Sequence, residues 1–128
     1  MIKIITDSTA YISEEFAKAN DIKIVRLHTI IGDEDFIEGF PGSFEKVYKK
    51  IDEKVFFPKT SQPACGDFVD AFNEVVDNGD EAIVLILSST LSGTINGATV
   101  AKGLCSCPDK ISIVDSGTTG HNMWGIVC

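Results

Sequence analysis

The stretch "EAIVLILSSTLSGTINGA", Glu81–Ala98, decides how this 128-residue chain is read. Ile83–Leu87 is a run of five apolar residues bounded by charge before it and Ser88-Ser89 after it. Such a run is a strand buried on both faces, as in a parallel sheet. Ser92 then opens a helix carrying Ile95, Ala98 and Ala101. Gly93, Gly97 and Gly103 weaken that helix intrinsically, so close packing on a sheet must compensate. Strand, hydroxyl-rich loop and helix together form one unit of an α/β fold.

The same pattern recurs on both sides. Ile2–Thr6 reads as a strand ending in Asp7-Ser8-Thr9. Ser13 caps a helix, with Glu14 and Glu15 in its first turn and an end near Asn20. Ile22–Leu27 is the next strand. His28–Ile31 and Phe36–Ile37 flank "GDED", which predicts a small hairpin excursion near residues 28–37. Ser43 is an N-cap for the stripe Phe44, Val47, Tyr48 and Ile51. Pro58 and Pro63 bracket "KTSQ" as a loop. From Asp67, a second stripe of Phe68, Val69, Phe72, Val75 and Val76 ends at Gly79 as its C′ residue. Ile111–Val114 is a last strand, and a helix follows from Thr118 or Thr119. The predicted architecture is one α/β domain: a parallel β-sheet with helices on both faces.

Composition excludes several functions. Lys and Arg number 11 against 19 Asp and Glu, a formal net charge of −8. Nucleic-acid binding needs clustered cations, and docking to anionic membranes needs them too. The N-terminal "MIKIITDST" is too short and too polar for a secretory signal. No apolar stretch is long enough for a transmembrane helix. Cys65, Cys105, Cys107 and Cys128 lack the paired spacing of a structural zinc site and read as reduced thiols, so the expected location is cytoplasmic.

Ligands of open parallel sheets bind outside the carboxyl ends of the strands. Those ends carry Thr6-Asp7-Ser8-Thr9, Ser88-Ser89-Thr90-Leu91-Ser92 and Asp115-Ser116-Gly117-Thr118, with Thr60-Ser61 in the Pro-bracketed loop. Hydroxyls beside helix N-termini suit an anion. Each is also what a plain N-cap looks like; their clustering at four places favours a site. A serine nucleophile needs a base, and only His28 and His121 are present. His28 reads as a surface or packing residue, and no G-x-S-x-G elbow, P-loop or G-x-G-x-x-G occurs. Asp7 and Asp115 are carboxylates without the spacing of a metal site. Catalytic residues, metal and cofactor are all expected to be absent.

At these residues the chain resembles the DegV family of fatty-acid-binding proteins. The resemblance is carried by "IITDSTAYI" (Ile4–Ile12), "KTSQPACGDF" (Lys59–Phe68), "ILSSTLSGTINGA" (Ile86–Ala98) and "ISIVDSGTTG" (Ile111–Gly120), in family order. It implies one bound long-chain fatty acid, with the tail in an apolar tunnel and the carboxylate held by hydroxyls. It also implies a separate ATP-dependent fatty acid kinase that phosphorylates that carboxylate. Carried onto this sequence, the carboxylate contacts fall on Thr60, Ser61, Ser92, Gly93 and Thr94, with Asp7, Ser8 and Ser116 as rim support. Family members have a second domain that completes the tunnel and adds a histidine. Residues 1–128 resemble the first domain alone, so Met123, Trp124, Ile126 and Val127 are expected to lack packing partners, and self-association through the uncovered interface is expected. Two alternatives stay open: a small α/β enzyme acting on a phosphorylated or carbonyl substrate, and a truncated domain that binds nothing.

Overall fold

The computed structural model describes residues 1–53 and 57–127. The chain runs β1 (Ile2–Asp7), a 3-10 turn over Ser8–Ala10, α1 (Glu14–Ala19), β2 (Lys23–Val25), β3 (His28–Ile31), β4 (Glu34–Ile37) and α2 (Glu45–Asp52). It continues through β5 (Lys59–Ser61), α3 (Cys65–Asp77), β6 (Glu81–Ile86), α4 (Thr94–Leu104), a 3-10 turn over Pro108–Lys110, β7 (Ile111–Asp115) and α5 (His121–Val127).

The main sheet has the order β2-β1-β6-β7, and every pairing is parallel. Ile5 aligns with Val84, and Val84 with Ile113. From β1 the chain steps one way to β2, and from β6 the other way to β7. Right-handed crossovers therefore set α1 on one face and α3 and α4 on the other. The α3 and α4 helices pack on each other as well as on the sheet.

The core lies under α3 and α4. Phe68 and Phe72 of α3 are fully buried, with Ile5, Val84, Ile86, Ile111, Ala98 and Ala101 around them. Burying each phenyl ring contributes about 1.5–3 kcal/mol. Ala98 and Ala101 are 0% exposed on the inner side of α4, whereas a β-carbon on Gly97 or Gly103 would meet open space, so those two glycines do not serve close packing. On the opposite face Ile83 and Val114 stay 38% and 42% exposed.

Several local expectations hold. Ser13 accepts a hydrogen bond from Phe16 N at 3.2 Å, with Glu14 and Glu15 in the first turn. Gly79, at φ +84°, ends α3: its N–H donates to Val76 O and that of Asp80 to Val75 O. An L side chain is strained at that φ, which is why glycine stands there.

Others are corrected. Lys59–Ser61 is not a loop but strand β5, antiparallel to β3, with Thr60 opposite Thr29. It completes a second sheet, β4-β3-β5, around the expected hairpin. The two prolines confine β5 to three residues rather than forbidding it. Ser43 does not cap α2: Phe44 takes that position, and Ser43 Oγ donates to Phe40 O at 2.7 Å. The α3 helix starts at Cys65, two residues early, with Asp67 accepting from Ala64 N. Gly93, not Ser92, is the N-cap of α4. The α5 helix waits until His121, because Ser116, Gly117 and Thr118 are used in a tight turn that bonds back to Ser88. Met123 does find a partner: it is 0% exposed and receives the Thr9 hydroxyl at 3.5 Å. Ile126 is 55% exposed. The side chains of His121, Trp124 and Val127, and residue 128, lie outside the described part of the chain, and the expectations placed on them go with it.

Candidate functional site at the carboxyl end of the sheet

Because the connections diverge from β1 and β6, the switch point of the sheet lies between the carboxyl ends of these two strands. Crevices of this kind hold the ligands of open α/β sheets. Asp7 forms its floor. Its side chain is fully buried, and it accepts hydrogen bonds from Leu87 N at 2.8 Å, Thr9 N at 2.9 Å and the Thr9 hydroxyl. Burial pushes the Asp7 carboxyl above its ordinary value, and the bonds from Thr9 and Leu87 partly oppose this. Asp7 thus supports the rim from below, fastening the end of β1 to the start of the 87–93 loop.

Ser8 supports it in a different way. Its hydroxyl donates to Glu38 Oε2 at 2.7 Å and accepts from Leu27 N at 3.0 Å. Thr29 Oγ1 reaches the other Glu38 oxygen at 3.5 Å. Ser8 therefore joins the parallel sheet to the smaller one, the sheet that carries Thr60 directly across from Thr29. Sequence reading had no means of finding Glu38, which is distant in the chain and has no motif around it.

The loop after β6 is held by its own hydroxyls. Ser88 Oγ lies 2.7 Å from Thr90 Oγ1. Ser92 Oγ lies 2.8 Å from Thr94 Oγ1 and accepts from Thr94 N at 3.2 Å. Thr94 is fully buried while Ser92 and Gly93 are half-buried. Asp115 accepts from Ser89 N at 3.3 Å and from Gly117 N at 2.9 Å, and the Ser89 side chain first, then the Gly117 N–H, hold its carboxyl below the ordinary range. Ser116 Oγ donates to Thr118 O at 3.0 Å. Ser116 is thus taken up by its own turn.

Thr60 and Ser61 are both exposed. Ser61 Oγ reaches only the neighbouring Gln62 carbonyl, at 3.4 Å, and Thr60 makes no side-chain hydrogen bond among the described residues. The segment bearing them meets the α4 loop at Gly93. A β-carbon built on Gly93 would stand 2.6 Å from Gln62 Nε2, so the Gln62 carboxamide rests directly on the backbone of Gly93. That contact brings "TSQP" and "LSGT" together. It was hidden from sequence because it depends on β5 being a strand that points Gln62 toward α4.

No catalytic constellation accompanies these hydroxyls among the described residues. The His28 ring lies 2.9 Å from Asp35 on the hairpin. No three His, Cys, Asp or Glu side chains of the described residues converge on a metal position. Cys65, Cys105 and Cys107 are free thiols. No described helix is long and apolar enough to cross a membrane. A groove of about 390 Å³ opens between the hairpin and α2, lined by Thr29, Phe36, Ile37, Glu38, Phe44 and Val47 among others.

The match to known proteins covers nearly the whole chain. The family model described as "Uncharacterised protein, DegV family" matches residues 1–127. A DegV domain-containing protein of Listeria innocua is 38% identical over 101 residues, which is 78% of this chain and 36% of that protein. A stearic acid-binding protein from Eubacterium ventriosum superposes with a TM-score of 0.89 at 26% identity, over 99% of this chain and 45% of that one. DegV of Bacillus subtilis, a fatty acid binding protein, gives 0.84 at 29% identity, over 95% and 43%. The chain thus spans less than half the length of these relatives, 36–45% of each. With its parallel four-stranded sheet, its strand-end hydroxyl loops and this agreement from residue 1 to residue 127, the chain belongs to the DegV family.

Proposed function

We propose that this chain is the carboxylate-gripping part of a protein that holds a long-chain fatty acid and presents it to a separate ATP-dependent fatty acid kinase. The observation that supports the reading is the junction at Gln62 and Gly93, where the segment bearing Thr60 and Ser61 meets the N-terminal end of α4, in a family with fatty-acid-binding members. The carboxylate lies between Thr60 or Ser61, which leave β5 on opposite faces, on one side and Ser92, Gly93 and Thr94 on the other. Hydroxyl and backbone N–H donors offset part of its desolvation. A buried Lys or Arg would hold it tighter, but would draw charge from the oxygen that must attack ATP. Each CH₂ of the tail removed from water adds about 0.8 kcal/mol. The groove beside Thr29, the cross-strand neighbour of Thr60, offers the tail Phe36, Ile37, Phe44 and Val47, with Asp35, Glu38 and Lys46 along its edges.

In this reading the chain performs no chemistry itself. It needs no cofactor and works in the cytoplasm, where ATP and the kinase are. Ile2, Ile83 and Val114 form exposed apolar surface through which the chain self-associates. Sedimentation equilibrium on the Val114→Lys variant, which should stay monomeric, tests that point.

The central experiment is delipidation followed by titration with stearic and oleic acid, then addition of ATP and a fatty acid kinase with hydroxylamine to trap acyl-phosphate. Retention of the acid with trapped product only when the kinase is present is the expected result. A chain that retains neither acid sinks the binding role; one that binds acid but never yields hydroxamate sinks only the kinase role.

A further inference from the structure

Gln62 is the residue at the junction whose own polar group has no use inside the protein. It is exposed, and its carboxamide makes no hydrogen bond among the described residues. Its Nε2 is nonetheless the nearest atom to the space a side chain at position 93 would fill, at 2.6 Å, with Cδ at 3.5 Å and Oε1 at 3.6 Å. The carboxamide therefore faces the start of α4, two residues along the chain from Thr60 and over the residue that follows Ser92. Gly93 is what allows this, since any β-carbon there would displace it.

We infer that Gln62 selects the head group of the ligand: its carboxamide, seated over Gly93 between the two hydroxyl segments, donates a hydrogen bond to a carboxylate and so separates an acid from the alcohol of the same tail. This rests on the reading of Thr60 and Ser92 as the carboxylate site, and adds to it the residue that sets specificity. Hydroxyls that donate to a carboxylate also gain from its charge, yet each can turn and accept from an alcohol instead, so a further donor widens the gap in favour of the acid. The Gln62 carboxamide can also accept through Oε1, but its N–H donors gain most from a charged acceptor, so an alcohol is the weaker partner.

The test uses the full chain and two probes of equal tail, oleic acid and oleyl alcohol, competed against a fluorescent fatty acid. Gln62→Leu keeps the volume and removes the donor. It should lower affinity for the acid by roughly tenfold or more, the usual worth of a hydrogen bond to a charged group, and lower that for the alcohol much less. Gly93→Ala should push the flexible amide aside and shift the acid-to-alcohol ratio in the same direction. The double variant should be no worse than the single ones. Thermal unfolding of each variant, expected to match the parent because Gln62 is exposed, separates binding from folding. Equal losses for acid and alcohol make Gln62 a spacer and overturn the inference, as does no loss for either, while the binding role stands in both cases. A parent chain that binds neither probe overturns the binding role, and this inference with it.

Discussion

The Asp7 carboxylate accepts the backbone N–H of Leu87 at 2.8 Å, joining the ends of the two central strands at the point where the sheet changes direction. The carboxylate is buried and forms no ion pair among the described residues; its other partners there are the N–H and hydroxyl of Thr9. Asp7→Asn leaves one oxygen to serve donors that now use two. At least one buried N–H is stranded, which costs about 1–3 kcal/mol. Urea denaturation should show that loss, and amide exchange at Leu87 should speed up.

The pH dependence of the same substitution has a definite sign. Burial raises the folded-state carboxyl of Asp7 above its ordinary value. A raised acid favours the folded state when protonated, so its contribution is present below the ordinary value and is lost as pH rises through the raised one. The penalty of Asp7→Asn should therefore be largest in acid and shrink toward neutral pH. Asp115 is the opposite case: Ser89 and Gly117 lower its carboxyl. Its contribution is present above the ordinary value and fades as pH falls through the lowered one, so Asp115→Asn should cost least in acid. Denaturation at two pH values on both variants checks the pair. Parallel trends would contradict the two environments.

The strands and long helices were legible because their residues carry period and burial in plain view: the apolar run of β6, and the stripe of Phe68, Phe72 and Val75 on α3. The misplaced elements are the ones set by contacts distant in sequence. The three residues of β5 are a strand only because β3 lies beside them, and no pattern of that length distinguishes strand from loop. Ser43 and Ser92 both read as N-caps, yet each spends its hydroxyl one residue ahead of the true cap, and local spacing cannot resolve a shift that small. The hydroxyl segments of the candidate site were visible as composition. Their meeting point was not, since it lies in a side chain of one loop resting on the backbone of another.

Ser8 and Glu38 form the tie between the two sheets, at 2.7 Å, with Leu27 N and Thr29 Oγ1 as further partners. Removing either should loosen the smaller sheet more than the larger one. Ser8→Ala and Glu38→Ala should each cost about 0.5–1.5 kcal/mol, and the double variant less than their sum because they share one bond. Exchange protection should fall at β3 and β4 while β6 and β7 keep theirs. An additive double variant would mean that the two side chains act independently.

Thr60 and Ser92 differ in a way that separates holding the fold from holding a ligand. Thr60 is exposed with an uncommitted hydroxyl, whereas Ser92 accepts from the N–H of the fully buried Thr94. Thr60→Val keeps the β-branched shape that a strand favours and deletes only the hydroxyl. Its unfolding midpoint should match the parent, and its affinity for oleic acid should fall by about 1–3 kcal/mol if the hydroxyl meets a desolvated carboxylate. Ser92→Ala should lose a similar amount of binding and also about 1 kcal/mol of stability, because Thr94 N loses its acceptor. Ser92→Thr keeps the oxygen and should recover most of both. Calorimetric titration beside thermal unfolding reads the two quantities on the same samples. A Thr60→Val variant that binds as well as the parent would remove Thr60 from the site, and a Ser92→Ala variant that loses stability alone would leave Ser92 as a turn residue.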